Sequence, residues 1–419
     1  MSVLSSIAIS YPFGENAIKS LANWAHTSGA LTERLVPDFG GPLGLASAAA
    51  RFPGAPEVFT RFREKTEKRI ADLSLPEDIV VSHVSELIRI AGARVRTPIT
   101  GYVGNYLWKK QFDDGASKVP LTSTGLLIGM PGSCRKTFGR NHHLTRVFHA
   151  IDAHPRTRND WLRAAYPGRT AHAELYPDAL VAQIEAELQL SDIVLVPSAV
   201  VRDQMTGNGV PAAKVVVVPY GVDLDAFTPP RPGLPRDAKR RPRVVLVAQL
   251  GLRKGVPFLI EAARGLNIDV DLVGNVFDDR ALKSLPDNVT VVGNQTRDQL
   301  VARLQGADAF VLPAIEDAFA LVVAEAAATG LPVITTPQNG SAEALDPRFH
   351  TLVDAADTAA LRDALRAVTL LDDDRRAEIA EALANPVPGI TRVLPWAGYA
   401  GSAYAAIEAR LTENAAARR

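Results

Sequence analysis

Residues 312–343 read LPAIEDAFALVVAEAAATGLPVITTPQNGSAE. An apolar strand ends at Leu312, a loop with two acidic residues follows, and a helix runs from about Leu321 until Gly330 ends it. In a parallel sheet, ligands bind where a strand ends and the next helix starts. The N–H groups and the dipole of a helix start also favour an anion. This stretch therefore predicts an α/β fold with an anion site at the loop.

Two acidic side chains of this stretch can face one cleft. Asp317 lies in the loop, and Glu325 lies eight positions later in the helix. Because two carboxylates repel a bare phosphate, they suit the hydroxyl groups of a sugar or a ribose. Acids near a helix start also simply stabilise the helix. Spacing alone therefore leaves ligand binding and helix stabilisation equally open.

Six short apolar runs recur through the second half of the chain, and segments with helical spacing separate most of them. One of these segments begins with Thr296 and Gln299 at the spacing of a capping box. Near-continuous apolar strands that alternate with helices favour a parallel sheet covered on both faces. The second half therefore predicts a Rossmann-like domain with strands at Val244–Val247, Val270–Val273, Val289–Val292, Ala309–Leu312, Leu331–Thr335 and Thr351–Val353.

The first half repeats this alternation less regularly and predicts a second Rossmann-like domain. No element is assigned between Lys109 and Arg140, a stretch rich in glycine, threonine and basic residues. Helices are predicted at Ala17–His26, Pro56–Leu73 and Asp178–Leu190. Strands are predicted at Val3–Ile9, Ile79–Val84, Arg146–Ile151, Ile193–Val196 and Val215–Val218.

A proline-rich, basic stretch at residues 229–242 separates the two halves, because proline and clustered like charge both disfavour burial. We expect one domain over 1–222 and another over 223–395. The tail, 396–419, is predicted to form a helix that packs back on the first domain. Its aromatic residues at roughly helical spacing are Trp396, Tyr399 and Tyr404.

The composition of the 419 residues argues against several classes of protein. The chain has 46 basic and 46 acidic residues, and this zero net charge does not favour a nucleic acid partner. Cys134 is the single cysteine, and neither it nor the eight histidines show metal-site spacing. We find no phosphate-loop motif, dinucleotide fingerprint or export signal in the sequence. We therefore expect a cytoplasmic protein.

The stretch 312–343 resembles the signature of the retaining family-4 glycosyltransferases. That signature reads Glu-Gly-Phe-Gly and then a second Glu, with seven residues between the acids. Alignment on Phe319 places Asp317 on the first acid and Glu325 on the second. Ala318 and Ala320 then replace the two glycines.

The resemblance extends in both directions and covers roughly 190–352. It includes the segment Gly-Leu-Pro-Val-Ile that begins at Gly330, and Glu343 beyond it. The segment Val-Pro-Tyr-Gly-Val-Asp at 218–223 is similar to the family's entry into the second domain. Ser198 follows a strand that also matches.

The resemblance implies a donor site built around a basic segment. The family carries an arginine and then a Lys-Gly pair, and Lys254 matches the lysine that neutralises the donor's diphosphate. Gln249 stands where the family has the arginine. Arg253 either supplies the missing charge or lies in a solvent-facing turn.

On the N-terminal side, the resemblance implies that His149 is the strand-end histidine beside the donor sugar, and His154 is the alternative. Gly14 resembles the glycine of the family's first loop. The predicted catalytic residues are His149, Lys254 and Asp317. The predicted donor-binding residues are Gly14, Gln249, Arg253, Lys254, Phe319, Ala320, Leu321 and Glu325.

The resemblance implies the GT-B fold, in which two Rossmann-like domains face a central cleft. It also implies transfer of a sugar from a nucleotide-diphosphate donor to a hydroxyl acceptor with retention of configuration, without a cofactor or metal. The acceptor would be a glycan, a lipid-linked compound or a small molecule, as in polysaccharide biosynthesis.

Two classes of alternative stay open. One is an enzyme of the same fold, a nucleotide-sugar epimerase or a phosphorylase, and the other is a non-catalytic, two-lobed sugar-binding protein. The aromatic and basic residues Tyr106, Trp108, Lys109 and Lys110 suggest contact with the inner face of a membrane or with a lipid-linked acceptor, although such a cluster is also a common surface.

Overall fold

The structure is a computed structural model, and it describes residues 3–12, 15–37, 75–82, 98–168, 174–233 and 239–417. Two of the predictions, the helix Pro56–Leu73 and the donor-binding residue Gly14, lie outside these ranges. The described strands form two sheets, in which every pairing is parallel. The first sheet uses strands up to residue 217, and the second uses strands from residue 243 onwards.

The first sheet has seven strands in the order β3-β2-β1-β4-β5-β6-β7. All five of its predicted strands and two of its predicted helices appear within four residues of their predicted bounds, but β2 and β4 were not predicted. The strands are β1 Ile7–Ser10, β2 Leu31–Pro37, β3 Asp78–Ser82, β4 Leu126–Gly129, β5 Thr145–His149, β6 Ile193–Val196 and β7 Val215–Val217. The helices are α1 Asn16–Thr27, α2 Pro98–Ala116, α3 Arg135–Arg140, α4 Pro155–Ala165, α5 Asp178–Leu190 and α6 Ala199–Gly207.

The second sheet contains the six predicted strands, and the structure arranges them in the order β10-β9-β8-β11-β12-β13. Thr296 and Gln299 form both bonds of the predicted capping box at the start of the helix Arg297–Gln305. The strands are β8 Arg243–Val247, β9 Asp269–Val273, β10 Val289–Gly293, β11 Ala309–Leu312, β12 Val333–Thr335 and β13 Thr351–Leu352. The helices are α7 Val256–Ala263, α8 Arg297–Gln305, α9 Leu321–Ala328, α10 Thr358–Arg366 and α11 Asp373–Ala384.

The last helix, α12 Trp396–Ala417, packs back on the first sheet's domain, as predicted. Its fully buried Tyr404 stacks on Trp24 of α1, with 4.5 Å between the ring centroids. The hydroxyl of Tyr404 donates a hydrogen bond to the carbonyl of Leu21 at 3.0 Å. Buried apolar area of this kind is the main stabilising contribution to docking, so α12 joins the core of the domain that contains α1.

Candidate active site

The order of strands in the second sheet reverses between β8 and β11. These strands are direct neighbours, and their chains leave toward opposite edges of the sheet. Such a switch point creates a crevice at the carboxyl ends of the strands, where α/β proteins bind ligands. The loop after β8 carries Arg253 and Lys254, and the loop after β11 carries Glu316 and Asp317.

A glycine allows these two loops to pack closely against each other. Gly255 adopts a left-handed conformation with φ of +68°, and a Cβ there would lie 1.9 Å from the carbonyl oxygen of Pro313. Any other residue would therefore clash with the β11 loop as well as strain the backbone. The amide of Ile315 also donates a hydrogen bond to the carbonyl of Arg253 at 2.9 Å. This close docking brings the basic and acidic pairs side by side.

Lys254 and Asp317 form an ion pair, and both side chains are almost fully buried. Burial raises the pKa of Asp317, but the charges of Lys254 and Arg253 outweigh it and hold the pKa below its ordinary value. Burial and the charge of Arg253 lower the pKa of Lys254, and Asp317 opposes that shift. The pair places a cation and an anion at the same point of the crevice.

Arg253 points inward rather than into solvent. Its guanidinium lies 3.3 Å from the carboxylate of Glu316, which is fully buried. Burial raises the pKa of Glu316, and the charges of Arg253 and Arg158 oppose the shift. Arg158 comes from α4 of the other domain, 3.6 Å from the same carboxylate. The basic segment therefore belongs to a network of charges that spans both domains.

A cavity of about 190 Å³ opens beside this network. Gln249, Arg253 and Lys254 line it from the second domain, together with Phe277. The first domain contributes Asp152, Arg158, Glu174 and Tyr176, which the sequence analysis did not identify. No motif marks these four residues, because they reach the cavity only through the way in which the two domains face each other.

The start of α9 is already hydrogen-bonded. The amide of Phe319 donates to the carboxylate of Asp317, and the amide of Ala320 donates to the side-chain oxygen of Asn339, both at 3.3 Å. The ring of Phe319 packs edge-on against Tyr220, with centroids 5.8 Å apart. Leu321, which begins the helix, packs partly buried beside them. Asp317 thus fixes the loop that leads into α9.

Glu325 lines a different cavity from Lys254. It faces a groove of about 740 Å³ between the two domains, which Arg297 and Asp223 line on one side and Trp24 and Trp396 on the other. Burial raises the pKa of Glu325 to about 7, and the charge of Arg297 opposes that shift. The two acids of the signature therefore do not share one cavity, because Lys254 holds Asp317 in the loop while α9 turns Glu325 toward α8.

His149 is fully buried at the end of β5. Its Nε2 lies 2.9 Å from the hydroxyl of Tyr399 on α12, and burial lowers its pKa to about 4. Its ring lies 6.1 Å from that of Tyr220, which in turn contacts Phe319. The alternative, His154, accepts a hydrogen bond from the amide of Arg156 and caps α4. His149 is therefore the histidine that connects to the signature loop.

The aromatic and basic cluster on α2 is not the surface patch that its sequence suggested. Trp108 and Lys109 are buried, and the Lys109 ammonium donates a hydrogen bond to the carbonyl of Pro131 at 3.0 Å. Of the four residues of this cluster, Tyr106 is half-buried and Lys110 is exposed. Across the described ranges, no helix is long and apolar enough to cross a bilayer.

Comparison with known proteins gives a family match within the second domain. Residues 235–385 match the family model described as glycosyl transferases group 1. This match agrees with the family that the sequence resembles.

Curated relatives extend this finding. A D-inositol 3-phosphate glycosyltransferase of Xylanimonas cellulosilytica is 35% identical over 193 residues, which is 40% of this chain and 45% of that protein. A GDP-mannose-dependent alpha-(1-6)-phosphatidylinositol monomannoside mannosyltransferase of Mycobacterium tuberculosis is 29% identical over 216 residues, 46% of this chain and 56% of that protein. The chain spans about half the length of the curated relatives it matches. They are glycosyltransferases, and none of them supports the epimerase alternative.

Solved structures match nearly the whole length of the chain. Sucrose-phosphate synthase from Thermosynechococcus elongatus superposes with a TM-score of 0.65 at 17% identity, over 97% of this chain and 99% of that one. Anabaena HepE in complex with UDP and glucose superposes with a TM-score of 0.58 at 14% identity, over 96% of this chain and 99% of that one. These likenesses establish the predicted GT-B fold.

Proposed function

We propose that this protein transfers a sugar from a nucleoside diphosphate donor to a hydroxyl group of an acceptor, with retention of configuration at the sugar. The observation that carries the proposal is the pairing of Lys254 with Asp317 at the switch point of the second sheet. A buried cation suits the departing diphosphate, and the carboxylate beside it suits the hydroxyl groups of the sugar.

The donor's charge would develop on the diphosphate as the bond to the sugar breaks. Lys254 and Arg253 would stabilise this charge electrostatically, in a site that domain closure keeps from water. When Lys254 turns to the diphosphate, Asp317 becomes available to accept hydrogen bonds from the sugar. No step of this scheme needs a bound metal or cofactor, and activity in the presence of a chelator tests that expectation.

Glu325 would bind the ribose. It lies four positions into α9, so its Cα is about 6 Å along the helix from that of Leu321, at a rise of about 1.5 Å per residue. The groove beside it has apolar walls from Phe227 and Leu300 that suit a base, and the cation of Arg297 lies close to the carboxylate. The nucleoside would therefore occupy the groove, and the diphosphate would extend toward Lys254.

The acceptor would enter from the first domain. Asp152 and Tyr176 line both the cavity beside Lys254 and a smaller neighbouring cavity that contains Lys109. The hydroxyl of Tyr176 donates a hydrogen bond to the carboxylate of Asp152 at 3.1 Å, so the other lone pairs of this carboxylate are placed to accept from an acceptor hydroxyl. The acceptor is then a glycan, a lipid-linked compound or a small polyol.

Two relatives support sugar transfer to a hydroxyl compound, since their names specify inositol phosphate and a phosphatidylinositol mannoside as acceptors. We propose a cytoplasmic enzyme of polysaccharide or glycolipid biosynthesis, which would work at the inner face of a membrane when its acceptor is lipid-linked.

Release of nucleoside diphosphate from a panel of nucleotide sugars, first without and then with acceptors, tests the proposal. Transfer to an acceptor with the same anomeric configuration, read by NMR, is the expected result. Saturable binding of a sugar or nucleotide sugar with no turnover across the panel would instead favour the non-catalytic binding protein.

A further inference from the structure

One carboxylate from the first domain already occupies part of the basic turn. Glu174 accepts hydrogen bonds from the backbone amides of Leu252 at 2.5 Å and Arg253 at 2.9 Å. A Cβ placed on Gly251 would lie 2.6 Å from its Oε1, so the carboxylate rests directly against the turn. Glu174 therefore reaches across the domain interface to the segment that leads to Lys254.

Two successive backbone N–H groups that converge on one acidic group form an anion-binding concavity, the arrangement that proteins use for phosphate. The side chains of Arg253 and Lys254 add positive charge on the same turn, and both residues line one cavity together with Glu174. The turn thus has the chemistry of a phosphate site, with a carboxylate in the place of the phosphate.

The charges around the cavity disfavour the binding of a second anion. Arg158, Arg253 and Lys254 supply three formal positive charges, while four acids supply negative charge: Asp152, Glu174, Glu316 and Asp317. A diphosphate that entered with Glu174 in place would meet a formal excess of negative charge. Displacement of Glu174 removes one negative charge and exposes two N–H donors at the same time.

The backbone at Glu174 does not have to move for its side chain to leave. Its carbonyl accepts a hydrogen bond from Arg158 at 2.7 Å, and the guanidinium of Arg158 lies over the ring of Tyr176, 4.0 Å from the centroid. The turn also keeps a second contact with the first domain, because the hydroxyl of Tyr166 donates to the carbonyl of Leu252 at 2.8 Å. Rotation of one side chain is therefore enough to uncover the amides.

We propose that Glu174 is an internal competitor for the donor's diphosphate: its carboxylate occupies the amides of Leu252 and Arg253 until a phosphate of the donor displaces it. The inference rests on the proposed function, since it takes a nucleoside diphosphate as the donor. Its consequence is that the amides of Leu252 and Arg253 stay hydrogen-bonded until a phosphate arrives, and ligands without phosphate gain nothing by displacing the carboxylate.

Calorimetric titration of UDP, GDP, uridine and inorganic pyrophosphate into the wild type, Glu174→Gln and Glu174→Ala tests the proposal. Pyrophosphate and the preferred nucleoside diphosphate should bind both variants about tenfold more tightly, because a charged competitor bonded to two amides is gone. Uridine should bind all three proteins equally. Glu185→Gln, which removes a carboxylate paired with Arg156 on the outer surface, should bind every ligand like the wild type.

Weaker binding of pyrophosphate to both folded variants would overturn the proposal and make Glu174 a tether that orders the turn. An equal increase in the affinity of the variants for uridine would also overturn the proposal, since uridine has no phosphate that could compete with the carboxylate. If both variants bind pyrophosphate more tightly but the protein transfers no sugar, the role of Glu174 as a competitor would be supported. Only the proposed transferase reaction would then be contradicted. If neither the wild type nor the two variants bind any phosphate ligand, the competitor proposal and the proposed function would both be overturned.

Discussion

The ammonium group of Lys254 and the carboxylate of Asp317 form a buried ion pair across 63 positions of sequence. The two residues belong to loops that follow adjacent strands, β8 and β11, and the pair lies where these loops dock through Gly255. Each partner neutralises the charge of the other. When the donor binds, Lys254 exchanges the carboxylate of Asp317 for the diphosphate of the donor. Because Lys254 is already buried, this exchange adds no desolvation cost for the ammonium group.

Lys254→Ala should reduce kcat/KM by about 100-fold, the usual loss when a preorganised charge that stabilises a leaving group is removed. It should also reduce the free energy of unfolding by roughly 3–5 kcal/mol, because Asp317 stays buried without its partner. Steady-state kinetics and chemical denaturation measure the two effects. The double variant Lys254→Ala/Asp317→Asn should recover much of the stability but none of the activity.

Lys283→Ala removes an exposed lysine from the same domain and is the matched control. It should leave both kcat/KM and stability unchanged. An unchanged kcat/KM in folded Lys254→Ala would remove Lys254 from the reaction.

Glu325→Ala and Asp317→Asn should separate the roles of the two acids. If Glu325 holds the ribose, its truncation weakens both the free nucleoside diphosphate and the intact donor, by roughly 1.5–3 kcal/mol per charge-assisted bond lost. Asp317→Asn should spare the nucleoside diphosphate and weaken only sugar-bearing ligands and turnover. Calorimetry with both ligands tests this, and wild-type affinity for the nucleoside diphosphate in both variants would show that the alignment on Phe319 misplaces the ribose contact.

Glu325→Gln should change how stability depends on pH. The pKa of this carboxyl rises from 4.5 to about 7 in the folded protein. Between these values the folded protein keeps a proton that the unfolded chain has released, so stability falls as the pH rises, and it levels off above pH 7. The side-chain amide of the Glu325→Gln variant resembles the protonated acid but does not titrate, so the variant does not lose this stability as the pH rises. The variant should match the wild type near pH 4.5 and exceed it at pH 8 by up to about 3 kcal/mol.

Urea denaturation of both proteins at pH 4.5, 6, 7 and 8 measures this difference. Other shifted groups, such as Glu15, Glu187 and His149, are common to both proteins and cancel in the comparison. A difference that stays constant across the series would mean that Glu325 is ionised throughout.

Glu343→Ala should loosen the contact between the domains. The carboxylate of Glu343 accepts hydrogen bonds from the amides of Ala199 at 3.0 Å and Val200 at 2.8 Å, and so caps α6 of the other domain. The loss of these two charge-assisted bonds should favour an opened form and increase the radius of gyration measured by small-angle X-ray scattering. Glu378→Ala, on the exposed face of α11, should leave the radius unchanged. A compact Glu343→Ala variant would mean that other contacts hold the domains closed.

The two sheets were not equally accessible to sequence reasoning. All six strands of the second sheet were predicted, because each is a short apolar run between helical segments with capping signals. In the first sheet, β4 was missed although it lies at the centre, between β1 and β5. It has only four residues, in a stretch of glycine, threonine and basic residues. Its strand state depends on burial between neighbours that are distant in sequence, which no local pattern reports.

The order of residues determined the α/β alternation, the strands of the second domain, the position of the signature loop and the resemblance to a family. Periodicity, caps and motif spacing are local properties, and a sequence shows them directly. The tertiary structure alone decided which charges meet. It paired Lys254 with Asp317 and turned Glu325 toward Arg297 in a separate groove. It also brought Arg158 of the first domain against Glu316, and Glu174 of the first domain against the basic turn of the second. Such contacts depend on how two domains face each other, and the energy of a buried charge depends on everything around it rather than on its neighbours in sequence.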